Sequence, residues 1–488
     1  MVISWVTLQY LFNEYWPHAV FLLSLVVGGT AAVHAAMTKN DVRAAIAWVG
    51  VIIMSPLLGP LLYLIAGINR VRQEHISDQQ NRYLKDWASN PVLPIARTDE
   101  LDAPQLESLR VAGDRISQFP LRAGNQITLL RGGDETYPAM TAAIDAAQRS
   151  IALQTYIFDN DTEGRKIAEA LARAHARGVK VRVLIDAVGS RYSRPPIIRL
   201  LRRMDVPCAL FMTNPWGMRM PYANLRSHRK ILVIDGCTAF TGGMNIRNEF
   251  ATEAAGAEVC MDTHFRIEGP VVLQLMSVFA HDWAFTTREE LPLELWSCSV
   301  WPTNGQMMAA RCIRSGPDRY IVRTHNMLLA AFSAAQHHIR IQSPYFLPDQ
   351  VLLGAINTAA RRGITVDIVI PGRNNLRLVN YAMTAQLDQV IRSGARVWRA
   401  RGNFDHSKLI TIDGAWSYVG SSNLDPRSLR LNFELDMEIY SREMAARIEH
   451  IIDQEIAHAD EVTLPSLAQI PFRKQLRNRI IWLASPYL

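Results

Sequence analysis

The sequence predicts an α/β protein of two homologous lobes related by pseudo-twofold symmetry, preceded by a transmembrane helical hairpin. Three observations carry this: a polar motif that occurs twice, a strand–helix–strand order that recurs with it, and two long uncharged runs near the N-terminal end. The first copy of the motif is His228-Arg229-Lys230-Ile231-Leu232-Val233-Ile234-Asp235. The second, 178 residues on, is His406-Ser407-Lys408-Leu409-Ile410-Thr411-Ile412-Asp413. The register continues beyond each motif, with Gly242 and Asn245 after Asp235 matched by Gly420 and Asn423 after Asp413. Of the thirteen histidines, only His228 and His406 have Lys two positions later.

Pro17 to Met37 is 21 residues without Asp, Glu, Lys or Arg, and Ala44 to Asn69 is 26 more. At about 1.5 Å per helical residue, each run spans a hydrocarbon core of roughly 30 Å. Residues 1–70 are therefore expected to form two transmembrane helices, the second kinked at Pro56 and Pro60. A buried hairpin of a soluble protein fits less well, because nothing amphipathic relieves either run. Residues 1–13 lack the basic start of a cleaved signal peptide. Arg70, Arg72, Arg82 and Lys85 follow the second run, against Lys39 and Arg43 in the turn, which favours a cytoplasmic catalytic region.

Residues 71–120 are polar and Pro-punctuated and read as a helical stalk and linker, followed by one lobe over 121–300 and a second over 301–488. In the first lobe, Ile151 to Phe158 is strand-like, Lys166 to Arg177 is helical with Gly178 as its cap, and Val179 to Ile185 is a further strand. Ile339 to Phe346, the helix ending at Gly363, and Ile364 to Ile370 repeat that order, which implies a parallel sheet with right-handed crossovers. The offsets between copies are 188, 185 and 178 residues for strand, glycine and histidine, the small drift that duplication with loop indels leaves. Phe472 to Leu483 mixes basic and apolar residues and reads equally as an interfacial helix or a surface helix packed on the second lobe. The apolar stretch Phe211 to Met220 reads as a buried loop or as one dipping towards acyl chains.

Five cysteines without a C-x-x-C pair give neither a disulfide framework nor a zinc pattern, and are expected to be inert filling. A net charge of +7 and a pI near 9.2 suit nucleic acid or an anionic membrane, and the two uncharged runs favour the membrane.

The motif's residue types point to phosphoryl chemistry. Imidazole is a nucleophile or general acid/base near neutral pH. Strand alternation puts His and Lys on one face, where the ammonium offers fixed positive charge to phosphoryl oxygens. Gly-x-x-Asn adds a tight turn and an amide donor. A lone H-x-K is commonplace, but two in register within a duplicated fold are not.

This pattern, H-x-K-x(4)-D followed by G-x-x-N, twice, resembles the phospholipase D superfamily, and within it the bacterial cardiolipin synthases. The likeness extends through Ser315-Gly316-Pro317, Ser343-Pro344-Tyr345-Phe346, Asn423 to Leu429, Leu431-Asn432-Phe433-Glu434 and the ending Ser485 to Leu488. The resemblance implies that both motifs line one pocket between the lobes, with His228, Lys230, Asp235, His406, Lys408 and Asp413 as the catalytic motif residues. It assigns His228 as nucleophile, through a phosphohistidine, and His406 as acid/base, although the residues alone leave the order of the two open. Lys230, Lys408, Asn245 and Asn423 would hold the phosphoryl oxygens, and Asp235 and Asp413 would support the motif structurally. An acidic residue on the strand after each motif orients each imidazole in the family; Asp262 and Glu434 stand there. Gly243 departs from the serine many relatives carry, which Ser421 keeps in the second copy.

Exchange of one phosphodiester for another is close to thermoneutral, and the sequence has no G-x-x-x-x-G-K-[ST] loop, no D-x-x-D-G motif and no His/carboxylate metal spacing. The expectation is transesterification without cofactor or metal: two phosphatidylglycerols give cardiolipin and glycerol in the bacterial inner membrane. The partners are thus phosphatidylglycerol and anionic membrane lipid, not nucleic acid. Three alternatives stay open: a phospholipase D releasing phosphatidic acid, a nuclease of the same superfamily, and a membrane protein with an inactive fold.

Overall fold

The computed structural model describes residues 5–39, 41–67, 104–117, 119–212, 225–298, 301, 307–316 and 321–485. The expected tip of the 211–220 loop, most of the 71–120 segment and the last three residues lie outside these. The chain divides into two compact units, Met1–Val71 and Arg72–Leu488.

In the first unit, helix α1 (Trp5–Thr38) is followed by α2 (Val42–Met54), whose N-terminus is capped by the Asp41 carboxylate accepting from the amides of Arg43 and Ala44. The second uncharged run is not one continuous helix. It stops at Ser55, ahead of Pro56, which lacks an amide donor, and resumes as Leu58–Leu62 and a π-helical turn over Tyr63–Gly67. Among the described residues one helix is long and apolar enough to cross a membrane, Asn13–Thr38. Its 26 residues extend about 39 Å.

The second unit is built on one long mixed sheet. Its strands are β1 (Arg122–Arg131), β2 (Ser150–Thr155), β3 (Lys180–Asp186), β4 (Cys208–Phe211), β5 (Arg226–Ser227), β6 (Ile231–Ile234), β7 (Thr238–Gly242) and β8 (Thr263–Glu268). They continue with β9 (Met308–Ser315), β10 (His338–Gln342), β11 (Thr365–Pro371), β12 (Arg396–Ala400), β13 (Leu409–Ile412), β14 (Trp416–Gly420), β15 (Asn432–Tyr440) and β16 (Ala459–Val462). The order across the sheet is β16-β12-β11-β10-β13-β14-β15-β9-β1-β8-β7-β6-β2-β3-β4, with β5 paired to β15 off this path. The expected crossovers are present: β2 and β3 pair in parallel around helix Thr162–Ala176, and β10 and β11 around helix Gln350–Arg361. Each is buried on both faces, which is why these strands read as near-continuous apolar runs. One core gathers Ile151, Val183 and Leu232; the other gathers Ile341, Ile368 and Ile410.

Both motif strands, β6 and β13, are fully buried, and each turns into the next strand through Asp-Gly. Asp235 and Gly236 have φ of 54° and 70°, and Asp413 and Gly414 54° and 59°, two positive φ values at the centre of a tight turn that the amides of Cys237 and Ala415 close onto the carbonyls of Ile234 and Ile412 (2.9 and 3.1 Å).

Within the segment expected as a helical stalk and linker lies a helix, Glu107–Ile116, with Leu106 and Leu109 buried in the second core; a leucine spacing of three puts both on one helical face. One expectation needs correction. The cysteines are not all inert: Cys237 and Cys298 form a disulfide with Cα atoms 4.9 Å apart. Their separation of 61 residues hides this pairing in the sequence. The Asp-Gly turn after β6 brings Cys237 round to meet a chain segment from the end of the first half.

Candidate active site

His228 and His406 each stand just before a motif strand, held in place by a strand of the other half. The amide of His228 donates to the Phe433 carbonyl (2.9 Å), beside the β5/β15 pairing. The amide of His406 donates to the Met261 carbonyl (2.7 Å), beside a bridge between Met261 and Asp405. The carboxylates follow this exchange. Glu434 lies 3.2 Å from Nδ1 of His228, and Asp262 lies 2.8 Å from Nδ1 of His406. Each imidazole is thus supported by the acid on the strand that follows the other motif. Both acids are fully buried, whereas the two histidine side chains stay 19% and 16% exposed, enough to meet a substrate.

The lysines turn back onto their own motifs. Lys230 Nζ donates to the His228 carbonyl (2.7 Å), and Lys408 Nζ to that of His406, with the His406 ring nitrogens 3.0 and 3.1 Å away. Burial lowers the pKa of Lys230 and takes Lys408 down to about 8. Burial also lowers His228 against the pull of Glu434, and takes His406 to about 4, with the Lys408 charge adding to the shift and Asp262 opposing it. Burial pushes the two acids up, yet the groups facing them win: His406 and Lys408 hold Asp262 below its usual range, and His228 and Lys230 do so for Glu434. The resting site therefore pairs two carboxylates with two neutral imidazoles and two cationic lysines. A neutral imidazole whose Nδ1–H is donated to a carboxylate keeps its lone pair on Nε2, the form needed by a nucleophile or a general base.

Asn245 accepts from the Ile157 amide through Oδ1 (3.3 Å), and Asn423 donates to Ser428 Oγ (3.3 Å) while its own Oδ1 is buried without a hydrogen-bond partner among the described residues. Gly242 and Gly420 lie against the facing strand, where an added Cβ would stand 2.7 Å from the Thr263 carbonyl oxygen and 2.5 Å from Asp436 Cα. The departure at Gly243 has a local reason. Ser421 Oγ donates to Glu434 (2.6 Å), but at Gly243 a Cβ alone would come within 2.4 Å of Asp262 Oδ1. The backbone amide of Thr263 (2.7 Å) serves Asp262 instead.

Asp235 and Asp413, grouped with the catalytic motif residues, bind backbone. Asp235 accepts from the amides of Gln148, Arg149 and Ser150 (2.7–2.9 Å), and Asp413 from those of Gln336, His337 and His338 (2.8–2.9 Å). They sit at the far end of the motif strands from the histidines and pin the start of β2 and β10.

Several partners escaped sequence reasoning. Asn432 Nδ2 lies 3.2 Å from His228 Nδ1 and 3.1 Å from Glu434 Oε1, tying acid and imidazole together. Tyr156 packs on the His228 ring (4.4 Å between centroids), and Phe404 and Tyr345 flank His406 (5.9 and 6.1 Å). Arg229 is buried, donates twice to Asp282 (2.7 and 2.6 Å) and once to the Ser315 carbonyl (2.9 Å), and so bolts the first motif to the second half. Ser407, its counterpart, is reached from outside by Arg131 (2.8 Å), which also pairs with Asp405. Alternation was the available signal: the residue between His and Lys points away from them, and a charge there must find a partner.

Comparison with known proteins fits this geometry. The family model described as cardiolipin synthase, PLD-like domain, matches residues 140–283 and 328–456, more than half of the chain and both motifs. The chain belongs to the cardiolipin synthase family of phospholipase-D-like proteins. A second model, described as phospholipase D-nuclease N-terminal, matches residues 30–67. Among curated relatives, cardiolipin synthase A of Pseudomonas putida is 34% identical over 480 residues, covering 96% of this chain and 98% of its own length. Cardiolipin synthase A of Pseudomonas fluorescens is 32% identical over 482 residues, covering 97% and 99%. Among solved structures, the phosphatidylserine synthase of Haemophilus influenzae superposes with a TM-score of 0.61 at 18% identity, over 78% of this chain and 100% of that one, a likeness of fold.

Proposed function

We propose that this chain is a cardiolipin synthase that transfers a phosphatidyl group from one phosphatidylglycerol to another, releasing glycerol. The observation that carries the reading is the crossed support of the two imidazoles, His228 by Glu434 and His406 by Asp262, within one buried cluster of cations and carboxylates. Nε2 of His228 attacks phosphorus while His406, which takes up a proton as the anionic phosphodiester binds, protonates the departing glycerol. The phosphohistidine is then resolved by the hydroxyl of the second phosphatidylglycerol, from which His406, now neutral, takes the proton. Lys230 and Lys408 face the non-bridging oxygens with Asn245 and Asn423, and their charge stabilises the five-coordinate phosphorus most where it is most negative. One phosphodiester is broken and one formed, so no nucleotide enters the balance.

The two halves of the sheet act as homologous lobes related by a pseudo-twofold axis, each lending the other an acid. The apolar helix Asn13–Thr38 anchors the chain in the bacterial inner membrane, and the broken run after it forms the second arm of a hairpin. The flanking basic residues favour a cytoplasmic catalytic unit. Against them stands the Cys237–Cys298 disulfide, which needs an oxidising compartment, and we give this covalent constraint the greater weight. Full-length protein incubated with phosphatidylglycerol is expected to yield cardiolipin and glycerol, and His228→Ala to yield neither. Phosphatidic acid as sole product would overturn the synthase reading in favour of a hydrolase.

A further inference from the structure

The C-terminal helix Phe472–Leu483 satisfies both of its sequence readings at once. Its inner face packs on the second half: Asn478 is buried, Ile481 and Trp482 lie against the core, and Arg477 stacks 3.6 Å from the Tyr381 ring centroid. Yet Phe472, Leu476, Ile480 and Leu483 remain 74%, 48%, 58% and 73% exposed. At about 100° per residue these four fall within an arc of about 80°, opposite Asn478. Packing on the protein therefore leaves a complete apolar stripe facing outwards.

The charges around the stripe narrow what covers it. The helix carries four basic residues, Arg473, Lys474, Arg477 and Arg479, and no acidic one. Arg479 is paired with Asp388 (3.3 Å), while Arg473 and Lys474 have no partner among the described residues. Arg473 and Arg479 flank the stripe on either side. A second copy seated on this face would bring like charges together across an isologous contact. An anionic bilayer meets both features, taking the apolar side chains at the acyl boundary and the cations at the headgroups. We propose that the helix Phe472–Leu483 is an interfacial docking element that lays the second half of the catalytic unit on an anionic membrane, in addition to the N-terminal anchor. This holds whatever the chemistry of the two histidines.

The test uses the full chain in bilayer nanodiscs, with Cys208→Ser and Cys260→Ser to remove the half-buried free thiols; Cys312 is buried and the remaining pair is bonded. Leu476→Cys carries an environment-sensitive fluorophore, with Ile480→Cys one turn on as a second reading and Lys166→Cys, on an exposed helix face, as reference. In an equimolar mixture of phosphatidylcholine and phosphatidylglycerol, emission at 476 and 480 is expected to rise several-fold and to be lost when spin-labelled acyl chains are included. The reference should not move, and phosphatidylcholine alone should give a weaker response. Emission at 476 and 480 that ignores the spin labels would overturn the proposal. So would a response that follows the number of protein copies per disc instead of the anionic lipid, which would mark a contact between copies.

Discussion

Replacing Asp262 by Asn tests the crossed support directly, because it should disable the histidine of the other motif and spare that of its own. Asp262 is fully buried and 2.8 Å from His406 Nδ1. Charges about 4 Å apart interact by about 4 kcal/mol at an effective dielectric constant of 20, and a histidine that loses its buried carboxylate in a hydrolytic triad loses about 10⁴ in rate. The amide keeps the shape and one hydrogen bond, so a loss of about 10²–10⁴ in turnover is expected. The assay is single-turnover chemistry with two substrates: phosphatidylglycerol, whose leaving alcohol needs a proton, and a phosphodiester with an acidic nitrophenol leaving group, which does not. Asp262→Asn should resemble His406→Ala, slow on phosphatidylglycerol yet still forming phosphohistidine from the activated ester. Glu434→Gln should resemble His228→Ala and fail on both. If Asp262→Asn instead matches His228→Ala, each acid serves the histidine of its own half and the crossed geometry is wrong.

Arg229→Ala strips a fully buried carboxylate, Asp282, of its cation; a loss of about 3–5 kcal/mol is expected from denaturant unfolding. Because His406 must carry a proton to release glycerol, kcat/KM should fall as pH rises above about 4, with a steeper alkaline limb above about 8, where Lys408 also loses a proton. Lys408→Arg should shift the alkaline limb upwards. For stability the same shifts have one sign: both folded pKa values lie below the ordinary values of 6.5 and 10.5. The unfolded chain therefore holds more protons between about 4 and 6.5 and between about 8 and 10.5, and stability rises with pH in each window. Acid-trapped cells alkylated before reduction should show Cys237 and Cys298 protected; full alkylation of both would return the catalytic unit to the cytoplasmic face.

The sequence alone determined the chemistry and the repeating elements of the fold. A repeated His-x-Lys is visible without structure because the reacting groups must recur in type and spacing, and buried parallel strands announce themselves as apolar runs. The apolar helix near the N-terminus was legible from length and charge. Tertiary structure decided what depends on which strand lies beside which. Glu434 and Asp262 exchange histidines because β5 pairs with β15 and Met261 with Asp405, contacts between segments far apart in the chain. The same holds for Arg229 and Asp282, for Cys237 and Cys298, and for the outward stripe of the last helix, whose exposure depends on which face its neighbours cover. Spacing along a chain records local geometry; partners brought together across a long sheet leave no period to read.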